Sequence, residues 1–298
     1  MSKVHWLALS VVGGIGGATA RKLMERFGSI EAALAAPVGE LAKVPRISEA
    51  MAEQLRGVSL AALAHELERL AALGIEAVTW DDESYPANLR QLPDAPPLLF
   101  VRGALSAADD AAVAIVGSRQ ASPTGVERAE ALARELAALG ITIVSGLALG
   151  IDAAAHRGAL DAAGGRTLAV LGCGLCAIHP RQNRSLAEAI ARRGALISEL
   201  HANARPSGPH LMARDRIVSG LSRAVIVVEA AARGGSVDTG ARAQRQGRLV
   251  FAVPGSPGCD ALLAAGAEAL EPGLANAEEL ARRIRGHRVG GGHQLQLW

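Results

Sequence analysis

The chain has 298 residues, a formal net charge of +2, half of its residues hydrophobic and only 2% aromatic. That length allows one large domain, or one of about 150–200 residues with a small companion. A mean hydropathy of +0.22 excludes a disordered chain, and no run of about 18 uncharged apolar residues is present to cross a membrane as a helix.

The opening MSKVHWLALSVVGG holds a short apolar run without a signal-like cleavage site, so no export signal is expected. Residues 1–73 read as a series of small helices. In ATARKLMERFGS, Ala20, Leu23, Met24 and Phe27 recur at helical spacing and Gly28 stands where a helix ends. SIEAALAA, GELAKV and ISEAMAEQLRG follow as short helical units, broken at Pro37, Pro45 and Gly57. A longer helix runs from Ser59 to Gly74. The turn Gly13-Gly14-Ile15-Gly16-Gly17 suits a helix-hairpin-helix or SAM-like module whose amides can meet phosphate. A plain helical packing module reads the same residues equally well. All three lysines, Lys3, Lys22 and Lys43, lie here, and every later basic residue is Arg. Either coding bias or the planar donor fork that suits phosphate accounts for that choice.

IEAVTW reads as a strand. The turn-rich DDESYPANLRQLPDAPPLLFVRG is an extension leading into the main domain. From residue 111 onward strands and helices alternate. The apolar runs are 112–117, 141–146, 167–172, 195–198, 224–229 and 249–253, and such continuous runs indicate strands buried on both faces. Helical segments lie at 123–138, 151–163, 183–193, 213–221 and 237–246. The expected fold class is α/β, a doubly wound, mainly parallel sheet with a small all-helical N-terminal domain. The expected division is 1–73 helical, 74–285 sheet domain with 74–110 as its extension, and 286–298 a flexible Gly-rich tail, with docking of Trp298 the alternative. Cys173, Cys176 and Cys259 are too few for a disulfide framework and fit a reducing, cytoplasmic setting.

In such sheets ligands bind outside the carboxyl ends of the strands. The first strand ends Gly117-Ser118-Arg119, then Ser122-Pro123-Thr124 opens a helix. A phosphate at that start would meet free amides and the Arg119 guanidinium; the bland reading is a structural turn. The second loop runs from Ser145 and Gly146 to Gly150. Asp152 and His156 follow on one helix face, either as an acid–base pair or as a cap with a packed imidazole. Gly172-Cys173-Gly174-Leu175-Cys176-Ala177 matches a dinucleotide fingerprint only superficially, because Ile178-His179-Pro180 follows where a helix should begin. Its cysteines lack the further ligands zinc needs. Arg181 and Arg184 then sit at a helix start, against the macrodipole, and either serve a bound anion or face solvent. Arg214 and Arg216 are expected to open the next helix, around Asp215. Ser236 and Thr239 mark one more loop-to-helix junction. No Walker lysine loop, nucleophile elbow or paired-carboxylate cluster is present, so catalysis is not expected. A row of such loops suits an extended polyanion.

The segments AIVGSR, IVSGLALGIDAAAHRGAL, VLGCGLCAIHPRQNRSL, GALISE, RDRIVSGLSRAVIVVEA, GGSVDTGARA and GRLVFAVPG resemble, in order and spacing, the DNA-processing protein A (DprA, also called Smf) family. YPANL fits the preceding extension, and the helical start resembles that family's SAM-like region. The resemblance implies an extended Rossmann fold that binds single-stranded DNA, a homodimer, and loading of the RecA recombinase during natural transformation or recombination. It implies neither a cofactor, a metal, a membrane contact nor an enzymatic activity. Carried over by position, Gly117, Ser118 and Arg119 would grip phosphate, and Ser145, Gly146 and Gly150 would line the same pocket. Asn183, Arg214, Arg216, Ser236 and Thr239 match the remaining pocket-side motifs. Three departures stand out: Leu211 replaces an aromatic, Asp215 replaces an Asn, and a lysine common nearby is absent. The 13 residues after Arg285 are too few for the winged helix many members carry, so none is expected.

Within residues 111–258 the only aromatic is Phe251, in a strand, so base stacking is scarce and phosphate contacts are expected to dominate. Residues 181–248 hold 12 Arg against five acids, a surplus of seven positive charges, and the remainder of the chain is therefore net acidic by five. That asymmetry is the footprint of a nucleic-acid binder. The competing reading is a nucleotide-processing Rossmann enzyme of the lysine-decarboxylase-like (LOG) type. Its glutamate-bearing motif has no counterpart after Thr239. A third reading is a pure protein adaptor.

Overall fold

Six helices occupy the N-terminal part: α1 (Lys3–Val11), α2 (Gly17–Phe27), α3 (Ile30–Ala35), α4 (Val38–Leu41), α5 (Glu49–Gly57) and α6 (Leu60–Ala72). Ser29, Ser48 and Ser59 cap three of them, their hydroxyls accepting from the amides of Ala32, Met51 and Ala62. The coordinates are a computed structural model that describes residues 2–271 and 277–289. Trp298 and most of the expected tail lie outside the described residues.

The sheet begins with β1 (Ile75–Thr79), the short helix α7 (Ala87–Arg90) and β2 (Leu98–Gly103). The alternating part follows as β3 (Ala112–Val116), α8 (Pro123–Ala138), β4 (Thr142–Ser145), α9 (Ile151–Asp161), β5 (Thr167–Val170), α10 (Arg184–Arg193), β6 (Ala195–Ser198), α11 (Gly208–Leu221), β7 (Ala224–Val227), α12 (Gly235–Arg245) and β8 (Leu249–Ala252). It closes with α13 (Pro257–Ala264), β9 (Glu268–Ala269) and α14 (Ala277–Gly286).

The nine strands form one sheet in the order β1-β2-β6-β5-β4-β3-β7-β8-β9. From β6 to β9 all pairings are parallel. The extension adds β2 antiparallel to β6 and β1 antiparallel to β2. Every residue of β3, β4, β5, β6 and β7 is buried, as their unbroken apolar runs required. The mainly parallel, doubly wound sheet and the helical start therefore match the sequence expectation.

The helical part does not stand off from the sheet. One apolar cluster runs from Trp6, Leu23 and Leu70 into Phe100, Leu171 and Leu196. Trp6 is fully buried, lies edge-on to Trp80 at 5.5 Å, and donates its indole N–H to Asp81 at 2.7 Å.

Two helix starts differ from expectation by more than one residue. α11 begins at Gly208 rather than 213, because Ser207 caps it and Pro209 fits a first-turn position that needs no amide donor. Arg214 and Arg216 therefore sit in its second and third turns, not at its opening. α12 begins at Gly235 rather than 237.

Candidate functional site

The chain leaves central β3 toward β4 on one side and later toward β7 on the other. A crevice opens at such a switch point. Here it is a cleft of ≈ 480 Å³ between the loops after β3, β4 and β7, closed on one side by α11.

The loop after β3 supplies Gly117, Ser118, Arg119 and Gln120. A Cβ on Gly117 would stand 2.5 Å from the Ile151 side chain, so only glycine lets the loop approach α9 this closely. The Ser118 amide donates to Glu229 O at 2.7 Å, and the Ser118 hydroxyl accepts from Gln120 N at 3.1 Å. That leaves the hydroxyl proton free to donate into the cleft. Arg119 is exposed and makes no ion pair among the described residues.

The start of α8 is not open, contrary to the phosphate reading of Ser122-Pro123-Thr124. The Glu229 carboxylate accepts from Ser122 N at 3.0 Å and from Ser122 Oγ at 2.6 Å. Ser122 Oγ in turn accepts from Gly125 N. An internal carboxylate thus fills the anion seat.

The loop after β4 is also self-satisfied. Asp152 accepts from the amides of Gly146 and Ala148 at 3.1 and 3.4 Å, so those amides do not point at a ligand. Asp152 therefore ties the upstream loop rather than capping α9. Gly150 has φ +74°, and a Cβ there would meet Ser118 O at 2.2 Å, so it joins the two loops. Ser145 is fully buried and donates to Ile115 O at 2.7 Å. Asn183 Nδ2 donates to Leu147 O and Ala148 O at 2.8 and 3.2 Å and props the loop from behind.

His156 is fully buried. Thr167 Oγ1 spends its proton on Ile143 O and accepts from His156 Nδ1 at 2.7 Å. Nε2 is then unprotonated and has no hydrogen-bond partner among the described residues. Burial, reinforced by Arg214 and Arg157, pushes this imidazole down to about 3. It is a neutral core residue, and Asp152 and His156 do not act on one another as an acid–base pair.

On α11, Arg214 is buried with 5% exposure and donates to Gly146 O, Val170 O and Asp215 Oδ1. Its charge forms the cleft floor between Asp152 and Asp215. Burial raises Asp152, against the pull of Arg214. Asp215 is pushed up to about 6, by burial first and then by Asp152 and Asp238, with Arg214 opposing. Leu211 and Met212 complete this wall, and Met212 is 44% exposed.

The loop after β7 supplies Arg233, Gly234, Gly235 and Ser236. Arg233 is exposed and makes no ion pair among the described residues. No side chain caps α12, so its first amides carry their partial positive charge at the cleft. Thr239 reaches the lining too, but its hydroxyl donates back to Gly235 O at 2.8 Å.

Gly117, Ser118, Arg119, Gly146, Arg214, Ser236 and Thr239 are thus brought together in one cleft. Ser145, Gly150 and Asn183 shape its loops from outside. Arg216 lies elsewhere, held by Glu199 at 2.7 Å and Asp94 at 3.2 Å. Sequence reasoning passed over Arg233, Gln120 and Met212. The signal for Arg233 was present, since it directly precedes the Gly234-Gly235 pair at a strand end.

The family model described as DNA recombination-mediator protein A matches residues 76–283, and a SAM-like helix-hairpin-helix tandem matches residues 7–56. Protein Smf of Synechocystis sp. is 37% identical over 279 residues, covering 90% of this chain and 70% of the relative. The crystal structure of DNA processing protein A from Streptococcus pneumoniae superposes with a TM-score of 0.80 at 34% identity, over 91% of this chain and 95% of that one. DNA processing protein A from Helicobacter pylori, described for its single-stranded DNA binding mode, superposes with a TM-score of 0.61 at 30% identity, over 71% and 95%. With a matched model across most of the chain and the same fold in its relatives, this chain belongs to the DNA recombination-mediator protein A family.

Proposed function

We propose that this protein binds single-stranded DNA by its sugar–phosphate backbone in the cleft between the β3, β4 and β7 loops. One observation carries the reading: Arg119 and Arg233, both exposed and both without an ion-pair partner among the described residues, line one cleft with the uncapped start of α12. Cations left unpaired beside open amides are a seat for an anion. The surplus of positive charge in residues 181–248 and the single-stranded DNA binding of the Helicobacter pylori relative support a polyanion over a free nucleotide.

The role is binding, not catalysis. Ser118 has no base within hydrogen-bonding distance among the described residues, and His156 is buried against Thr167. In this reading the chain works in the cytoplasm as a homodimer. It protects incoming strands and loads RecA onto them during natural transformation or recombination. Residues 74–285 hold the DNA, and residues 1–73 are an accessory helical domain.

Arg119→Ala tests the reading. A lost hydrogen bond to a charged group is worth about 1.5–3 kcal/mol, so affinity for single-stranded DNA should fall roughly tenfold to a hundredfold. Unchanged affinity in a gel shift would remove the cleft from consideration. Hydrolysis of added nucleotide would point instead to the enzyme reading.

A further inference from the structure

A cleft that seats phosphate is a costly place for a carboxylate, yet Asp215 of α11 lines it with 8% exposure. Its Oδ1 accepts from Arg214 Nε at 3.0 Å, while Oδ2 accepts from no described residue. The two other carboxylates that act on it are spent. Asp152 holds the amides of Gly146 and Ala148, and Asp238 is paired with Arg242 at 2.6 Å. A Cβ on Gly235 would stand 3.0 Å from Asp215 Oδ2 and 4.0 Å from Met212 Sδ. Glycine at this position therefore leaves the oxygen uncovered, and carboxylate, thioether and the first turn of α12 close around one point.

The ligand must bring a proton donor to that oxygen. Along a single DNA strand, phosphate and deoxyribose oxygens carry none away from the chain ends, and only the bases do. Cytosine, adenine and guanine present an exocyclic amine, the group that a carboxylate accepts from cytosine in base recognition. Thymine and uracil offer a ring N–H between carbonyls, which a carboxylate repels. The surroundings suit a base. Leu211 and Met212 form the adjoining wall, Met212 is 44% exposed, and a thioether against an aromatic ring is a favourable contact. That wall takes any base by its face, and Asp215 meets its edge.

We propose that Asp215 is a specificity-determining residue, whose Oδ2 accepts the exocyclic amine of a base lying against Met212, so that the cleft favours cytosine, adenine and guanine over thymine and uracil. This rests on the single-strand reading of the cleft and adds a base preference to it. Arg119, Arg233 and the start of α12 hold the backbone of any strand, and Asp215 sets which bases complete the fit.

The experiment measures binding of deoxycytidylate and deoxyuridylate single strands of equal length to the full chain, to Asp215→Asn, to Met212→Ala and to Arg119→Ala. It is run at neutral pH, above the value of about 6 to which Asp215 is pushed. The two pyrimidines share a ring and differ only at the amino group and the adjoining ring nitrogen. The unaltered chain should favour deoxycytidylate by about tenfold, the worth of a hydrogen bond to a charged group. Asp215→Asn should bring the two affinities within about twofold, chiefly by a gain for deoxyuridylate, since the amide keeps an acceptor and loses the charge. Met212→Ala should weaken both strands alike and keep their ratio. Equal affinities in the unaltered chain, or a preference that survives Asp215→Asn, would overturn the inference while a loss of both strands in Arg119→Ala still upholds the cleft. If Arg119→Ala alters neither strand, the cleft reading and this inference fall together.

Discussion

The starts of α8 and α12 look alike in sequence, each a loop of small residues and hydroxyls following a buried parallel strand and an arginine. In the folded chain they are opposites. At α8 the Glu229 carboxylate accepts from Ser122 N and Oγ, so the helix end is already neutralised. At α12 no side chain hydrogen-bonds the first amides, although Asp238 lies in the first turn and Asp215 stands near Gly235, and Arg233 and Arg119 beside it make no ion pair among the described residues. A helix start with small residues is only a potential anion site, and what decides is whether a carboxylate of the fold hydrogen-bonds its first turn. The loop after β4 repeats the point, since Asp152 takes the amides of Gly146 and Ala148.

The sharpest way to break the contrast is Glu229→Ala. It removes the acceptor from Ser122 N and Oγ and leaves the first turn of α8 without its anion. Losing hydrogen bonds to a charged group costs about 1.5–3 kcal/mol. The urea midpoint should fall accordingly, and added phosphate should restore part of it by occupying the vacated seat. An unchanged midpoint would mean that α8 needs no anion and that the two helix starts do not differ energetically.

A smaller effect is expected at Asp215, the carboxylate that stands in the cleft near Gly235. Its pKa is raised from an ordinary 3.8 to about 6. Proton uptake by the folded state is therefore stabilising, fully so below about pH 4, and that contribution is lost as the pH rises through about 6. The same deprotonation places a negative charge beside the proposed phosphate seat. Single-stranded DNA affinity should thus drop a few-fold between pH 5 and 7 on the scale of that titration. Asp215→Asn should bind more tightly at neutral pH and lose this part of the pH dependence. Parallel pH profiles for both proteins would show that Asp215 does not sense the ligand.

These contrasts also mark what the sequence made legible. Strands β3 to β8 were legible because near-continuous apolar runs have no other stable place than a sheet covered on both faces. The antiparallel edge formed by β1 and β2 was not, since an extended segment carries no sign of which strand it will pair with. At the site, the loops were legible from Gly, Ser and Arg at strand ends. Their occupancy was not. Glu229 lies 107 residues from Ser122, and Arg214 lies 68 residues from Gly146. No local pattern records such partners. Asp152 is only six residues from Gly146, but its seat on that amide depends on the sharp turn at Gly150.

Arg216 sharpens the comparison from the other side and carries the smallest expected effect on binding. In sequence it is the twin of Arg214, two residues away on the same helix and equally basic. In the fold its guanidinium meets Glu199 through two hydrogen bonds, at 3.0 and 2.7 Å, with Asp94 at 3.2 Å. Two carboxylates already answer its charge, and it does not line the cleft. Arg216→Ala should therefore shift DNA affinity by no more than about twofold, close to what a screened surface charge contributes. It should still lower the thermal midpoint, because Glu199 and Asp94 lose their partner. A large loss of affinity with an unchanged midpoint would show that Arg216 leaves its carboxylates to reach DNA, and that ion pairing in the free protein does not distinguish a spent arginine from an available one.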